Sequence, residues 1–182
     1  MRALVMVLCV AALTAAQPAQ SEISAVSLET LILSSDQIVI ATVTRVTESS
    51  AVSGTVLHAT ATVAKTLKGS PLRTIRFVAY PSSPERMDST EEANEGETIL
   101  LFLYKRESPE FGLMNFGRGR MPLRKHGGKT YATLWASDII LPTGAPITPE
   151  PDPRFTFIVS VDFGYLEQQI AQTAGEHRSR AP

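Results

Sequence analysis

Apolar and polar positions change period several times along the chain, and each change marks an element. Leu28, Leu31 and Ile32 fall at i, i+3 and i+4, one face of a short helix that the Ser27 hydroxyl is suited to cap. Ser34-Ser35-Asp36 ends it. Gln37 to Thr47 is almost wholly β-branched, which predicts a strand, and its later half alternates so that one face turns polar. Glu48 to Gly54 is polar and reads as a turn. A second strand, Thr55 to Ala64, follows, with Leu57, Ala59, Ala61 and Val63 on one face and His58, Thr60 and Thr62 on the other. Gly69 suits a left-handed turn after it. Thr74 to Tyr80 gives a third strand, stopped by Pro81.

The stretch from Pro81 to Glu97 carries six acids (Glu85, Asp88, Glu91, Glu92, Glu95 and Glu97) and reads as an exposed loop. Thr98 to Tyr104 is apolar on both faces and predicts a central strand. Shorter strands are expected at Phe111–Phe116, Arg120–Leu123 and Lys129–Trp135, the last two joined by a tight hairpin turn at His126-Gly127-Gly128. Pro142, Pro146, Pro149, Pro151 and Pro153 mark residues 142–159 as a Pro-rich extended segment. A final helix over 160–175, capped by Ser160, presents Phe163, Leu166, Ile170 and Ala174 as one stripe. Residues 176–182 form a charged tail that is expected to be disordered. The pattern predicts a mainly β domain over 25–141, antiparallel, of six or seven strands with one helix at each end. Periodicity alone leaves barrel or sandwich open.

The first residues stand apart from this domain. Arg2, an apolar run from Ala3 to Leu13 and then Thr14-Ala15-Ala16 read as a secretory signal peptide within 1–19, cut after Ala16 or Ala19. The run is shorter than the ~20 residues a membrane span needs. The expected location is therefore secreted or periplasmic, with no span in the mature chain. Removing that leader takes away Arg2 and Cys9, leaving 16 basic against 18 acidic residues, a net charge of −2, and no cysteine. A cysteine-free chain forms no disulfide, uses no thiolate nucleophile and holds no Cys-ligated zinc.

Several segments resemble a known group. Leu28-Glu29-Thr30-Leu31 followed by Ser35-Asp36-Gln37-Ile38-Val39-Ile40-Ala41-Thr42-Val43 is similar to the leucine-rich helix and "SD-x-V-V-x-G-x-V" strand that open certain exported bacterial domains of unknown function. Ala61 to Gly69 resembles their "V-x-x-V-L-K-G" segment, Gly96 to Leu103 their "G-E-x-x-L-L-F-L", and Phe116 to Met121 their "x-G-x-G-x-F". That group is commonly likened to the OB-fold and to the netrin-like module of tissue inhibitors of metalloproteinases. The resemblance covers roughly Ser27 to Leu141 and implies an OB-like barrel. Ala41 replaces the usual Gly and Met121 a common aromatic. The tissue inhibitors act through an N-terminal cysteine, which the cleaved chain lacks, so the resemblance carries fold and not that mechanism.

Candidate chemistry is sparse. His58, His126 and His177 are far apart and read as surface histidines, with no metal-ligand spacing. No G-x-S-x-G occurs, so a hydrolase would have to assemble its residues in three dimensions only. The acids of 85–97 lack the ordered spacing of a calcium loop, and whether they bind Ca²⁺ stays open. Gly117-Arg118-Gly119 opens a strand, not a phosphate-cradling helix. No cofactor motif is present. One cluster stands out: Arg118, Arg120, Arg124, Lys125 and Lys129, five cations within twelve positions, with His126 among them and Phe116, Tyr131 and Trp135 near. If Arg118, Arg120 and Arg124 share a strand parity they project from one face, and the aromatics supply stacking surfaces. The competing expectation pairs these cations with the acidic loop. The sequence thus points to a monomeric, non-catalytic binding module for a protein or an anionic envelope polymer. Export argues against nucleic acid. An envelope hydrolase and a cysteine-independent protease inhibitor are the alternatives.

Overall fold

The structure, a computed structural model, describes residues 25–51, 54–79, 93–114, 118–149 and 158–180. The expected leader within 1–19, most of the acidic loop, Phe116 and residues 150–157 lie outside them. After a two-residue strand β1 (Val26–Ser27) the chain enters helix α1 (Leu28–Ser34). The Ser27 hydroxyl accepts from the Thr30 amide at 3.0 Å, and Leu28, Leu31 and Ile32 are buried as one face. Seven residues make a marginal helix in isolation, so its end needs partners. Ser35 Oγ donates to the Leu31 carbonyl at 2.7 Å, and Lys68 Nζ donates to the carbonyls of Ile32 and Leu33 at 2.8 and 2.9 Å. Orphan carbonyls of the last turn are thereby satisfied.

Five strands close a barrel: β2 (Gln37–Ala51), β3 (Gly54–Lys68), β4 (Thr74–Ala79), β5 (Thr98–Lys105) and β6 (Phe111–Leu113), in the order β5-β2-β3-β4-β6 with β6 returning to β5. Every pairing within it is antiparallel except β4 with β6, which is parallel. That return decides for a barrel over a sandwich. Three register shifts between β2 and β3 supply the curl that closure needs. Val39, Ala41 and Val43 of β2, Ala59 and Ala61 of β3, Ile75 and Phe77 of β4, and Ile99, Leu101 and Leu103 of β5 fill the interior.

The alternate residues of β5, Leu100 and Phe102, face a second core. This is why β5 reads as apolar on both faces. A second group of strands continues the sheet from β5: β7 (Arg120–His126), β8 (Lys129–Trp135), β11 (Ile158–Asp162) and β10 (Ile147–Pro149). Between them β9 (Ile139–Ile140) pairs in parallel with β1. Helix α2 (Phe163–Arg180) lays Leu166 and Ile170 against Met121, Ala132, Leu134, Val161 and the buried face of α1. The second core is therefore a sheet-on-helix layer fused to the barrel wall.

Three expectations shift. Glu48-Ser49-Ser50 is strand, not turn, because β2 and β3 run on as a two-stranded ribbon beyond the core. Ser160 sits in β11, paired with Thr133; Asp162 caps α2 instead, its Oδ1 accepting from the Tyr165 amide at 3.2 Å. The helix also continues past 175 to Arg180, with Gln172 Nε2 donating to Glu176 Oε1 at 3.2 Å and Ser179 Oγ to the Glu176 carbonyl at 2.8 Å. The described start of the Pro-rich segment contributes β10 at the sheet edge, where Pro149 is tolerated.

Candidate functional site

The cationic cluster divides along β7. Arg118, just before the strand, forms an ion pair with Asp138 at 2.9 Å; the two side chains are only 10% and 7% exposed. Asp138 Oδ1 also accepts from Ser137 Oγ at 3.0 Å. Arg120 is more deeply buried, and its Nη2 pairs with Glu97 Oε2. A guanidinium withdrawn from water needs such a partner, because an uncompensated buried charge is costly. Both acids come from turns beside the strand, Glu97 from the residue before β5 and Asp138 from the β8–β9 turn. The expected alternative, pairing with the acidic stretch, is met for Arg120.

Arg124, Lys125, His126 and Lys129 lie beyond the core and are exposed. None of these four forms an ion pair among the described residues. Gly127 and Gly128, at φ +57° and +77°, make the two-residue turn between them, a conformation that matches strand twist and that side chains oppose. His126 pairs with Lys129 across that turn, and Arg124 stands opposite Tyr131. Tyr131 and Trp135 share a face of β8 and are both half-buried. The structure thus gathers Arg124, Lys125, His126 and Lys129 with Tyr131 at a hairpin tip, and draws Arg118 and Arg120 into the interior.

A second polar cluster was not legible as a site. Ser49 Oγ lies 2.8 Å from His58 Nε2, and His58 Nδ1 lies 2.9 Å from Glu110 Oε2. Arg76 Nη2 donates to the other carboxylate oxygen of Glu110 at 2.9 Å. Strand register explains the convergence. Thr47 stands opposite His58 and Ser49 opposite Val56, so Ser49 and His58 are diagonal neighbours on one face of the ribbon. Thr60 stands opposite Arg76, which places Arg76 diagonal to His58. The parallel pairing of Phe77 with Phe111 brings Glu110, one residue earlier, alongside Arg76. His58 is correctly read as lying on the polar face of its strand; its partners lie 9 and 52 residues away. The turn reading of Glu48–Gly54 hid Ser49, and nothing in the sequence around Glu110 marks it.

Of the acidic stretch, two described members have internal roles: Glu95 Oε1 accepts from the Val46 amide at 3.1 Å, and Glu97 holds Arg120. Glu85, Asp88, Glu91 and Glu92 lie outside the described residues. Among the described residues no group of three or more His, Cys, Asp or Glu is placed to hold a metal, and no helix is long and apolar enough to cross a membrane. The sequence matches no protein-family model, and no curated protein matches it significantly.

Proposed function

We propose that the protein is an exported binding module that meets a protein or an anionic envelope polymer through the tip of the β7–β8 hairpin. One observation carries the reading. Arg124, Lys125 and Lys129 are exposed cations without ion-pair partners among the described residues; they flank the Gly127-Gly128 turn, with Tyr131 directly across from Arg124. Nearer the core on the same segment, Arg118 and Arg120 are each matched by an acid. The leader within 1–19 supports export, and the hairpin reading requires no catalysis. The likeness to OB-type and netrin-like modules stays part of the proposal; a closed barrel is what it calls for, and closed barrels also occur in unrelated proteins.

The test is retention on immobilised dextran sulfate. Each Lys or Arg near an anionic surface contributes about 1 kcal/mol. Reversing Arg124, Lys125 and Lys129 to Glu together should therefore weaken retention by at least two orders of magnitude and flatten its dependence on salt. Unchanged retention by the folded triple variant removes the hairpin from the binding surface.

A further inference from the structure

We infer that Ser49, His58 and Glu110 form a nucleophile–base–acid chain competent for acyl transfer from ester substrates. The direction of each hydrogen bond follows from chemistry. An ionised carboxylate only accepts, so the proton between His58 and Glu110 sits on Nδ1. In the neutral ring Nε2 then carries the lone pair, and the Ser49 hydroxyl, 2.8 Å away, donates to it. That is the order of roles in which an alcohol becomes a useful nucleophile.

The gradient of shelter runs the way such a chain requires. Glu110 is 12% exposed and His58 26%, whereas Ser49 faces solvent on the ribbon. Arg76 fixes the second oxygen of Glu110 and so holds the carboxylate in the orientation that meets Nδ1. Four chain segments supply the four groups: Ser49 from β2, His58 from β3, Arg76 from β4, and Glu110 from the residue before β6. Ser49 is exposed, which suits an ester that projects from a larger molecule and meets the ribbon from solvent.

The reaction balances without a further reagent. Ser49 Oγ attacks the ester carbonyl carbon while its proton passes to His58 Nε2. The imidazolium is stabilised by Glu110, and collapse of the adduct expels the alcohol, which takes that proton. Water then attacks the acyl-serine with His58 again accepting the proton. The carboxylic acid leaves, and Ser49 regains its hydrogen. Ester and water become acid and alcohol. Ser49 and His58 are the catalytic residues; Glu110 and Arg76 are positioning residues.

The experiment treats the purified protein with a fluorophosphonate and maps the adduct by peptide mass spectrometry, alongside hydrolysis of p-nitrophenyl acetate. The expected result is a single adduct on Ser49. Ser49→Ala abolishes the adduct. His58→Gln keeps a hydrogen-bonding side chain between ribbon and loop but removes the base, and slows labelling by about 10²-fold or more at an unchanged Tm. Glu110→Gln slows labelling and distorts its pH profile, a change that loss of a mere tether does not produce. No adduct on Ser49 in the folded protein, or equal labelling of His58→Gln, overturns the inference and leaves the chain as a structural clasp.

Discussion

The two ends of strand β7 hold the same kind of side chain and put it to opposite uses. At its start Arg120 is buried against Glu97, with Arg118 paired to Asp138 just before it; at its finish Arg124 and Lys125 are exposed and have no acid as partner among the described residues. Four positions separate Arg120 from Arg124, and their parity on the strand is the same. Parity therefore does not decide their roles. Arg120 lies where β7 pairs with β5, whereas Arg124 lies beyond that pairing and is exposed.

Breaking the buried end should have the largest effect. Arg120→Met leaves the partly buried Glu97 carboxylate without its guanidinium and should cost about 3–5 kcal/mol, read by urea denaturation. Adding Glu97→Gln to that variant should recover part of the loss, since the unpaired charge goes with it. Additive losses would show that the two residues do not act as a pair. Asp138→Asn comes next: it removes the countercharge of Arg118 but keeps an acceptor, with an expected cost of about 2 kcal/mol.

A smaller effect tests the seam between the cores. Lys68 from β3 holds two carbonyls of α1, and Lys68→Met should cost about 1 kcal/mol. Burial lowers the proton affinity of Lys68, with the Asp36 charge opposing that shift. The folded state then releases this proton before the unfolded one does, so stability rises with pH across the interval between the two pKa values. Lys68→Met should flatten that alkaline rise in denaturation curves; an identical rise would assign it to another group. At the exposed end, the triple reversal of Arg124, Lys125 and Lys129 should leave stability within about 0.5 kcal/mol while altering polyanion retention.

Much of the fold was legible because burial writes a period into the chain. The Ser27 cap, the two-faced β5, the Gly127-Gly128 turn and the stripe Leu166, Ile170 and Ala174 all follow from local chemistry or from a face that meets a core. Where a strand leaves the core, the period vanishes. The ribbon end of β2 carries Glu48-Ser49-Ser50 and was expected as a turn for that reason. Ser160 has the chemistry of a helix cap, but its pairing with Thr133 holds it in β11, and Asp162 caps α2. The cationic residues were visible, but which of them are buried depends on Glu97 and Asp138, brought in by turns distant in sequence. Ser49, His58 and Glu110 converge only through the register of three strand pairings, which no local pattern encodes.

The most direct measurement is a pair of thermal melts for two single charge reversals in the same strand, Arg120→Glu and Arg124→Glu. Arg120→Glu should lower Tm by about 10 °C or more, as expected for a buried charge pair turned repulsive, and Arg124→Glu should stay within about 2 °C of the unaltered protein. Equal shifts in the two variants, or a larger one for Arg124→Glu, would contradict the division of β7 into a buried, paired end and an exposed end.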